Sequence, residues 1–517
     1  MKQSQKKPAK SMRNWIVNIG ASSLVAIIIV LLTPSDPFHL APAQKTENAV
    51  TLSSPDTLPA SQHIPVFEDD TLESGLILNH LQGDNYLTGI DETLAPGACA
   101  LDYNNDGWID LLLVNGSGQT RYYRKQHWWQ KRQGHALYKN LGNGKFQDVT
   151  QESGLATPSW GMGCVSGDFN NDGHTDLFIT NLGSNTLYKN NGEGRFIDVT
   201  IPSGISGESW STSATLADYD GDGLLDIYIA NYIKYSKGAK TYEAQSQFEG
   251  SIPVTFNATL YDAEPNRLYR NRGKFRFENV SSLAGVEDKD GRSLDAIWLD
   301  ANNDGQPDIF VSNDGGGGSN TLLINQGNSK FKESSTRMNL SSALAHHSIS
   351  SGDFDNDGDI DIIITGDQTQ THLLLVNNIS DSGKEQWKYS DQAETLGLAK
   401  GQFAGYSGWG SGLHDFNNDG WQDLFIANGL VTPDPDTNKI TQGQSKQFWL
   451  NNGNGEFYET TWNAGDALQD IQSARGTVYA DFDNDGDIDI YVAHNNDIGQ
   501  LLTNTLPTDT QWLGIKL

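Results

Sequence analysis

Asp353-Phe354-Asp355-Asn356-Asp357-Gly358-Asp359-Ile360-Asp361 sets carboxylates at its first, third, fifth and ninth positions and a glycine at its sixth. Alternate residues of a tight loop all point inward, which suits a hard cation such as Ca²⁺ that takes roughly six to eight oxygens. The glycine permits the sharp turn that a side chain resists. Asp361 is placed to close the site with a bidentate carboxylate. Ile362-Ile363-Ile364-Thr365 comes next, so the loop opens into a strand.

Six further copies begin at Asp102, Asp168, Asp218, Asp300, Asp415 and Asp481, with successive starts 50 to 82 residues apart. Each keeps Asp at positions one, five and nine, Asp or Asn at three, and Gly at six. The candidate calcium ligands are therefore Asp102, Asn104, Asp106 and Asp110 in the first loop, and Asp168, Asn170, Asp172 and Asp176 in the second. The third offers Asp218, Asp220, Asp222 and Asp226, and the fourth Asp300, Asn302, Asp304 and Asp308. The fifth offers Asp353, Asp355, Asp357 and Asp361, the sixth Asp415, Asn417, Asp419 and Asp423, and the seventh Asp481, Asp483, Asp485 and Asp489. One such nonapeptide is an ordinary acidic turn; seven at regular intervals imply a repeated unit.

Each unit reads as four strands. In the second, Gly163 to Phe169 enters the loop, Leu177 to Thr180 leaves it, and Thr186 to Lys189 forms the third. A turn, Asn190-Asn-Gly-Glu-Gly194, then leads to Arg195-Phe-Ile-Asp-Val-Thr200. Four-stranded units repeated around an axis make an all-β propeller. The last unit lacks a fourth strand after Gln500-Leu-Leu-Thr-Asn504, yet Phe67-Glu-Asp-Asp-Thr-Leu-Glu-Ser-Gly-Leu76 matches Phe146-Gln-Asp-Val-Thr-Gln-Glu-Ser-Gly-Leu155. The expectation is a seven-bladed β-propeller over 64–506, closed by an amino-terminal strand within 64–76 that removes the open sheet edge.

Before the propeller, 1–14 is basic, with Lys2, Lys6, Lys7, Lys10 and Arg13, and Trp15 to Leu32 is an apolar run. A basic flank stays in the cytoplasm and directs the chain beyond the apolar run to the outside. The run, 15–32, reads as an uncleaved membrane anchor by its length, with a cleaved secretion signal as the alternative. Residues 33–63 are rich in Pro, Ser and Thr and read as a linker.

The chain has 517 residues and a formal net charge of −30, and only 19% of its residues are charged. That is not the composition of a disordered acidic chain, and an acidic field argues against nucleic acid as a partner. Filling seven loops with Ca²⁺ brings the charge to about −16. Cys99 and Cys164 stand three and four residues before their loops. Strand side chains alternate faces, so this odd–even mismatch reads as two small core residues rather than a bonded pair.

Three long insertions, Asn115 to Ala136, Asn231 to Asn266 and Asn428 to Gln447, join second to third strands, on the face opposite the acidic loops. Long loops on a rigid scaffold carry function. The first contains Arg121-Tyr-Tyr-Arg-Lys-Gln-His-Trp-Trp-Gln-Lys-Arg132. Its Tyr122, Trp128 and Trp129 are candidate contacts for an acidic partner; the plainer and favoured reading packs them on the scaffold. Trp160, Trp210, Arg292, His346, His347, Trp409 and Arg475 enter the first strands and ring the mouth on the same face. Trp with Arg or His is suited to a sugar or peptide, although rim packing is again the favoured reading. His346-His347 alone is too few ligands for a zinc site. No Gly-x-Ser-x-Gly elbow, HExxH or phosphate loop is present, so a binding module is expected, with a lectin-like propeller and a polysaccharide-cleaving enzyme as alternatives.

The repeats resemble the FG-GAP-like repeats of integrin α-subunit propellers, and the chain resembles a bacterial member of the cartilage acidic protein family. Trp160-Gly-Met-Gly, Asp168-Phe-Asn-Asn-Asp-Gly and Leu187-Tyr-Lys-Asn-Asn-Gly-Glu-Gly-Arg-Phe-Ile-Asp-Val-Thr200 carry the resemblance. Gln511-Trp-Leu-Gly-Ile-Lys-Leu517, within 507–517, resembles the opening of the ASPIC/UnbV domain that succeeds such propellers. A monomeric propeller meeting an extracellular protein or glycan is the expected arrangement, and the resemblance implies calcium-supported adhesion or interaction outside the cell. It implies no reaction.

Overall fold

Alternating apolar residues after each acidic loop build strands, and the computed structural model arranges them all-β. It describes residues 63–506 apart from 82–89, 117–133, 156–158, 206, 236–247, 250–251, 254–257, 316–317, 341–344, 369, 380–386, 399–404 and 431–442. The expected membrane segment at 15–32, most of the linker, the run Arg121 to Arg132 and the carboxy-terminal 507–517 lie outside the described residues. No helix among the described residues is long and apolar enough to cross a membrane.

Seven antiparallel four-stranded meanders succeed one another among the described residues. Repeat one runs Ala98–Leu101, Asp110–Leu113, Ala136–Asn140, Phe146–Asp148. Repeat two runs Gly161–Gly167, Asp176–Ser184, Thr186–Asn190, Phe196–Asp198. Repeat three has Glu208–Ala217, Asp226–Asn231, Arg267–Asn271, Phe277–Asn279, and repeat four Ser293–Leu299, Asp308–Asn313, Thr321–Asn325, Phe331–Glu333. Repeat five has His346–Gly352, Asp361–Gly366, Leu373–Asn377, Tyr389–Asp391, and repeat six Gly408–His414, Asp423–Asn428, Gln447–Asn451, Phe457–Glu459. The last sheet takes Ala474–Ala480, Asp489–His494 and Gln500–Asn504 from the chain's end and Phe67–Asp69 from its start, with Phe67 opposite Asn504. Repeats two and three are further joined because the long strand Asp176–Ser184 pairs with Glu208, Ser209 and Trp210.

The fourth strands are shorter than the sequence suggests. In repeat two the strand ends at Asp198, whose Oδ1 accepts the Thr200 N–H at 2.9 Å. This local turn competes with the ladder. A helical turn, Thr200–Ser203, comes next, and Gly204 ends it in the left-handed region. Thr71–Ser74 and Thr150–Ser153 repeat the device after Phe67–Asp69 and Phe146–Asp148.

The core lies between sheets. Leu111, Leu113 and Tyr138 of repeat one pack with Val478, Tyr491 and Leu501 of repeat seven, and Leu112 and Leu137 on the other face of repeat one pack with Leu177, Ile179 and Tyr188 of repeat two. The same pattern continues through each successive pair. First strands lie side by side, with Ala98–Leu101 next to both Gly161–Gly167 and Ala474–Ala480. The arrangement is propeller-like.

Cys99 and Cys164 are bonded, with an S–S distance of 2.01 Å, which corrects their reading as separate core residues. Cys99 stands opposite Leu112 and Cys164 opposite Ile179 on their own sheets. They do point to opposite faces, as the spacing says. In a ring of sheets, though, opposite faces of neighbouring sheets meet, so the mismatch brings the sulfurs together.

Candidate functional site

Each acidic loop is folded by its own side chains before any cation is considered. The first Asp caps the turn: Asp353 accepts the Asp357 and Gly358 N–H groups, both at 3.0 Å. The other six loops repeat the pair of bonds, from Asp102 to Asp481. Position six requires a left-handed backbone, φ +90° at Gly358, which glycine alone adopts without strain.

The ninth Asp ties the loop to its sheet. One oxygen accepts the N–H of an Asn at the end of the third strand: Asn140, Asn190, Asn271, Asn325, Asn377, Asn451 or Asn504. In six loops the other oxygen accepts the N–H of the residue after the first Asp. The bidentate role expected of Asp361 is thus shared with the backbone. Asp361 is nevertheless fully buried.

These asparagines hold the site in place, and the loop motif alone does not point to them. Their Nδ2 groups reach back to the preceding repeat: Asn140 to the Phe482 carbonyl at 2.7 Å, Asn190 to Tyr103, Asn271 to Phe169, Asn325 to Tyr219, Asn377 to Ala301, Asn451 to Phe354 and Asn504 to Phe416. The signal was an Asn closing every third strand. A second circuit links the loops directly. Asn105 donates to the Gly173 carbonyl, Asn171 to Gly223, Asn356 to Gly420, Asn418 to Gly486 and Asn484 to Gly107, while Asn303 donates to Asp359. Gly221 takes this position in the third loop.

The donor set fits Ca²⁺. In Asp218/Asp220/Asp226, Asp353/Asp355/Asp357 and Asp481/Asp483/Asp489, one oxygen from each residue lies within 4.8 Å of the others. Oxygens across a Ca²⁺ shell are separated by about that distance, twice a bond of roughly 2.4 Å. The carboxyls are also held out of their ordinary range. Burial, opposed by the backbone donors and reinforced by neighbouring carboxylates, pushes Asp110, Asp176, Asp226 and Asp308 up to about 7. Asp361 and Asp489 rise to about 8, and Asp423 lies well above the carboxylate range. A buried carboxylate ionises readily only beside a positive charge. Asp487, beyond the motif ligands, adds a fifth acid to loop seven, with an Oδ1 that accepts no hydrogen bond.

On the opposite face the mouth residues are packed into the protein. Trp160, Trp210, Arg292, His346, His347 and Arg475 are all buried. Trp210 meets Tyr232 and Tyr235 edge-on at 5.2 Å. Arg292 donates to the Ala258 and Tyr261 carbonyls, and Tyr232 to Asp314. His347 stacks on Trp409 at 3.9 Å, and the Arg475 guanidinium lies 4.4 Å from the Trp409 ring centroid. Two short turns, Ile90–Glu92 and Ala258–Leu260, join this cluster, so these side chains pack against the chain itself. Tyr122, Trp128 and Trp129 lie outside the described residues.

The FG-GAP-like repeat family matches residues 102–179, 168–229, 300–364 and 415–492, together more than half of the chain. Cartilage acidic protein 1 of Mus musculus is 25% identical over 248 residues, 47% of this chain and 35% of that protein. The Homo sapiens protein of that name is 24% identical over 246 residues, 47% of this chain and 34% of its own. The match spans about a third of these relatives' length. Among solved structures, an Agrocybe aegerita lectin described as recognising non-reducing terminal N-acetylglucosamine aligns with a TM-score of 0.39 at 15% identity, over 70% of this chain and 79% of that chain.

Proposed function

Because the chain belongs to the FG-GAP-like repeat family, we propose that it is an extracytoplasmic interaction module: a seven-bladed propeller stabilised by Ca²⁺ on one rim and engaging an extracellular protein or glycan through the other. The observation that carries the reading is the circuit of acidic loops. Seven loops of one design are bonded loop to sheet and repeat to repeat, and their buried carboxyls lack enough positive charge. In loop five the cation would be held by Asp353, Asp355, Asp357 and Asp361, with equivalent sets in the other loops. Its contribution there is charge compensation and a clamp on the hairpin between first and second strands. Export is supported by the basic flank before Trp15, and the long second-to-third-strand insertions supply a docking face away from the cations.

Thermal unfolding of the exported chain tests the reading. EDTA is expected to lower the melting temperature and Ca²⁺ to restore it better than Mg²⁺, which dehydrates reluctantly. A site at a hundredfold excess of ligand over Kd adds about 2.7 kcal/mol, and weak extracellular-type sites about 1 kcal/mol each. Melting indifferent to EDTA, with no Ca²⁺ uptake by calorimetry, would overturn the calcium role. A screen of glycans and surface proteins with and without EDTA tests the docking role, which complete absence of binding in both arms refutes. Protease added to spheroplasts is expected to cut the propeller; full protection refutes the location.

A further inference from the structure

The seven loops differ in what stands beside them. The residue before the strand-three Asn is Lys139, Lys189 or Arg270 in repeats one to three, and Ile324, Val376, Leu450 or Thr503 in repeats four to seven. In the first three the basic group reaches the loop. Lys139 Nζ lies 3.0 Å from Asp106, Lys189 Nζ 2.9 Å from Asp172, and Arg270 spans Asp220 at 2.6 Å and Asp222 at 3.1 Å. Beside loop four, where Ile324 replaces the base, a cavity of about 270 Å³ opens against Asn302 and Asp304. Lys332 and Arg337 also line it, but neither forms an ion pair with the loop. Among the described residues, the carboxyls of Asp361 in loop five, fully buried, and Asp487 in loop seven, nearly so, have no basic side chain paired with them, whereas Asp220 in loop three is paired by Arg270.

We propose that the chain carries two classes of cation loop: repeats one to three hold a resident side-chain cation and bind Ca²⁺ weakly, while repeats four to seven rely on Ca²⁺ and bind it more tightly. The inference rests on the reading of these loops as Ca²⁺ sites. Its physical basis is repulsion. A single positive charge a few ångströms from a divalent ion weakens binding about tenfold at a high effective dielectric. The ammonium or guanidinium also occupies a carboxylate that would otherwise face the ion.

Loops one and six form a matched pair. Asp102, Asn104, Asp106, Gly107, Trp108 and Asp110 have the same types at the same spacing as Asp415, Asn417, Asp419, Gly420, Trp421 and Asp423. Asn104 donates to Asp106 and Asn417 to Asp419, each at 3.0 Å. Trp108 lies over Gly142 and Trp421 over Gly453. Among the groups beside the ligands they differ in Lys139 against Leu450, and also in Tyr103 against Phe416, Ile109 against Gln422 and the bond from Asn417 to the His63 carbonyl, which is why the Lys139 substitutions and not the parent comparison isolate the charge. Each carries its own tryptophan beside the ligands.

The test is Tb³⁺ luminescence of the full chain after metal depletion, excited through tryptophan, with subsequent competition by Ca²⁺. The signal lost in Trp108→Phe reports loop one, and that lost in Trp421→Phe reports loop six. The Ca²⁺ dissociation constant is expected to be about tenfold lower at loop six than at loop one. Lys139→Met and Lys139→Gln, both at a half-buried strand position, are expected to close that gap, with folding checked by near-UV circular dichroism. Equal affinities in the parent chain, or a gap untouched by both substitutions in folded protein, overturn the proposal. No Tb³⁺ signal at either loop, with no Ca²⁺ uptake by calorimetry, overturns the calcium reading itself and the proposal with it.

Discussion

Phe67→Ala probes whether the amino-terminal strand is a structural part of the last sheet. The Phe67 ring is 1% exposed and meets Phe416 edge-on at 5.8 Å and Phe448 at 5.6 Å. Ala464, Leu468 and Leu502 complete its surroundings. Truncating such a ring costs about 3–5 kcal/mol, of which the two edge contacts account for about 1 kcal/mol each. The backbone pairing of Phe67 with Asn504 survives the change, so the loss is that of the side chain. For a domain of this size 1 kcal/mol moves the melting temperature roughly 1 °C, so a fall of about 4 °C is expected. Phe146→Ala is the control. Phe146 holds the equivalent place in repeat one, 8% exposed, with Phe482 at 6.1 Å, inside a sheet made from one continuous stretch. Guanidinium unfolding monitored by tryptophan fluorescence is expected to show one transition for both variants, shifted at least as far for Phe67→Ala. An unshifted main transition in Phe67→Ala, accompanied by protease cleavage near residue 67, would show a detachable strand and refute the reasoning.

Asn140→Ala removes donors 2.7 Å from the Phe482 carbonyl and 3.0 Å from the Ile109 carbonyl; leaving these groups unpaired is expected to cost about 3 kcal/mol in chemical denaturation, and a loss under 1 kcal/mol would show that the bond between repeats is dispensable. The bridge between Cys99 and Cys164 closes a separation of 65 residues, so reduction is expected to lower stability by up to about 4 kcal/mol, an effect that must vanish in the Cys99→Ser/Cys164→Ser variant. Burial holds His80 and His135 down at about 4. These groups are neutral in the fold and take protons on unfolding, so their stabilisation is complete above about pH 6.5 and is lost as pH falls toward 4, by about 3 kcal/mol each. His80→Phe, which removes the contacts to the Val114 carbonyl and Tyr491 hydroxyl, is expected to flatten that slope in acid titrations of the unfolding midpoint, and an unchanged slope refutes the assignment.

The features legible in the sequence are those that a few neighbouring residues decide. Nine residues contain a whole loop, from the Asp353 cap to the Asp361 tie, so its pattern survives without knowledge of the fold. Strand alternation and the repeated Phe67-to-Leu76 phrase are local in the same way. The third-strand asparagines were visible as a pattern, but the role of Asn140 depends on a carbonyl 342 positions away.

The sequence by itself determined the repeat, the loops and the strand alternation, because each depends on spacing along one chain segment. The tertiary structure decided what each repeat meets. Facing strands on adjacent sheets turned the odd–even offset of Cys99 and Cys164 from an argument against pairing into the condition for it. Turns from distant stretches buried Trp210, Arg292 and Arg475 where a free surface was one reading. The third strand brought Lys139 and Arg270 to loops that their sequence distance does not reveal. For the disulfide the deciding quantity is which face of one sheet lies against the next, whereas Lys139 and Arg270 reach the loop of their own repeat because the third strand returns beside it, and neither placement is set by the order of residues in any one strand.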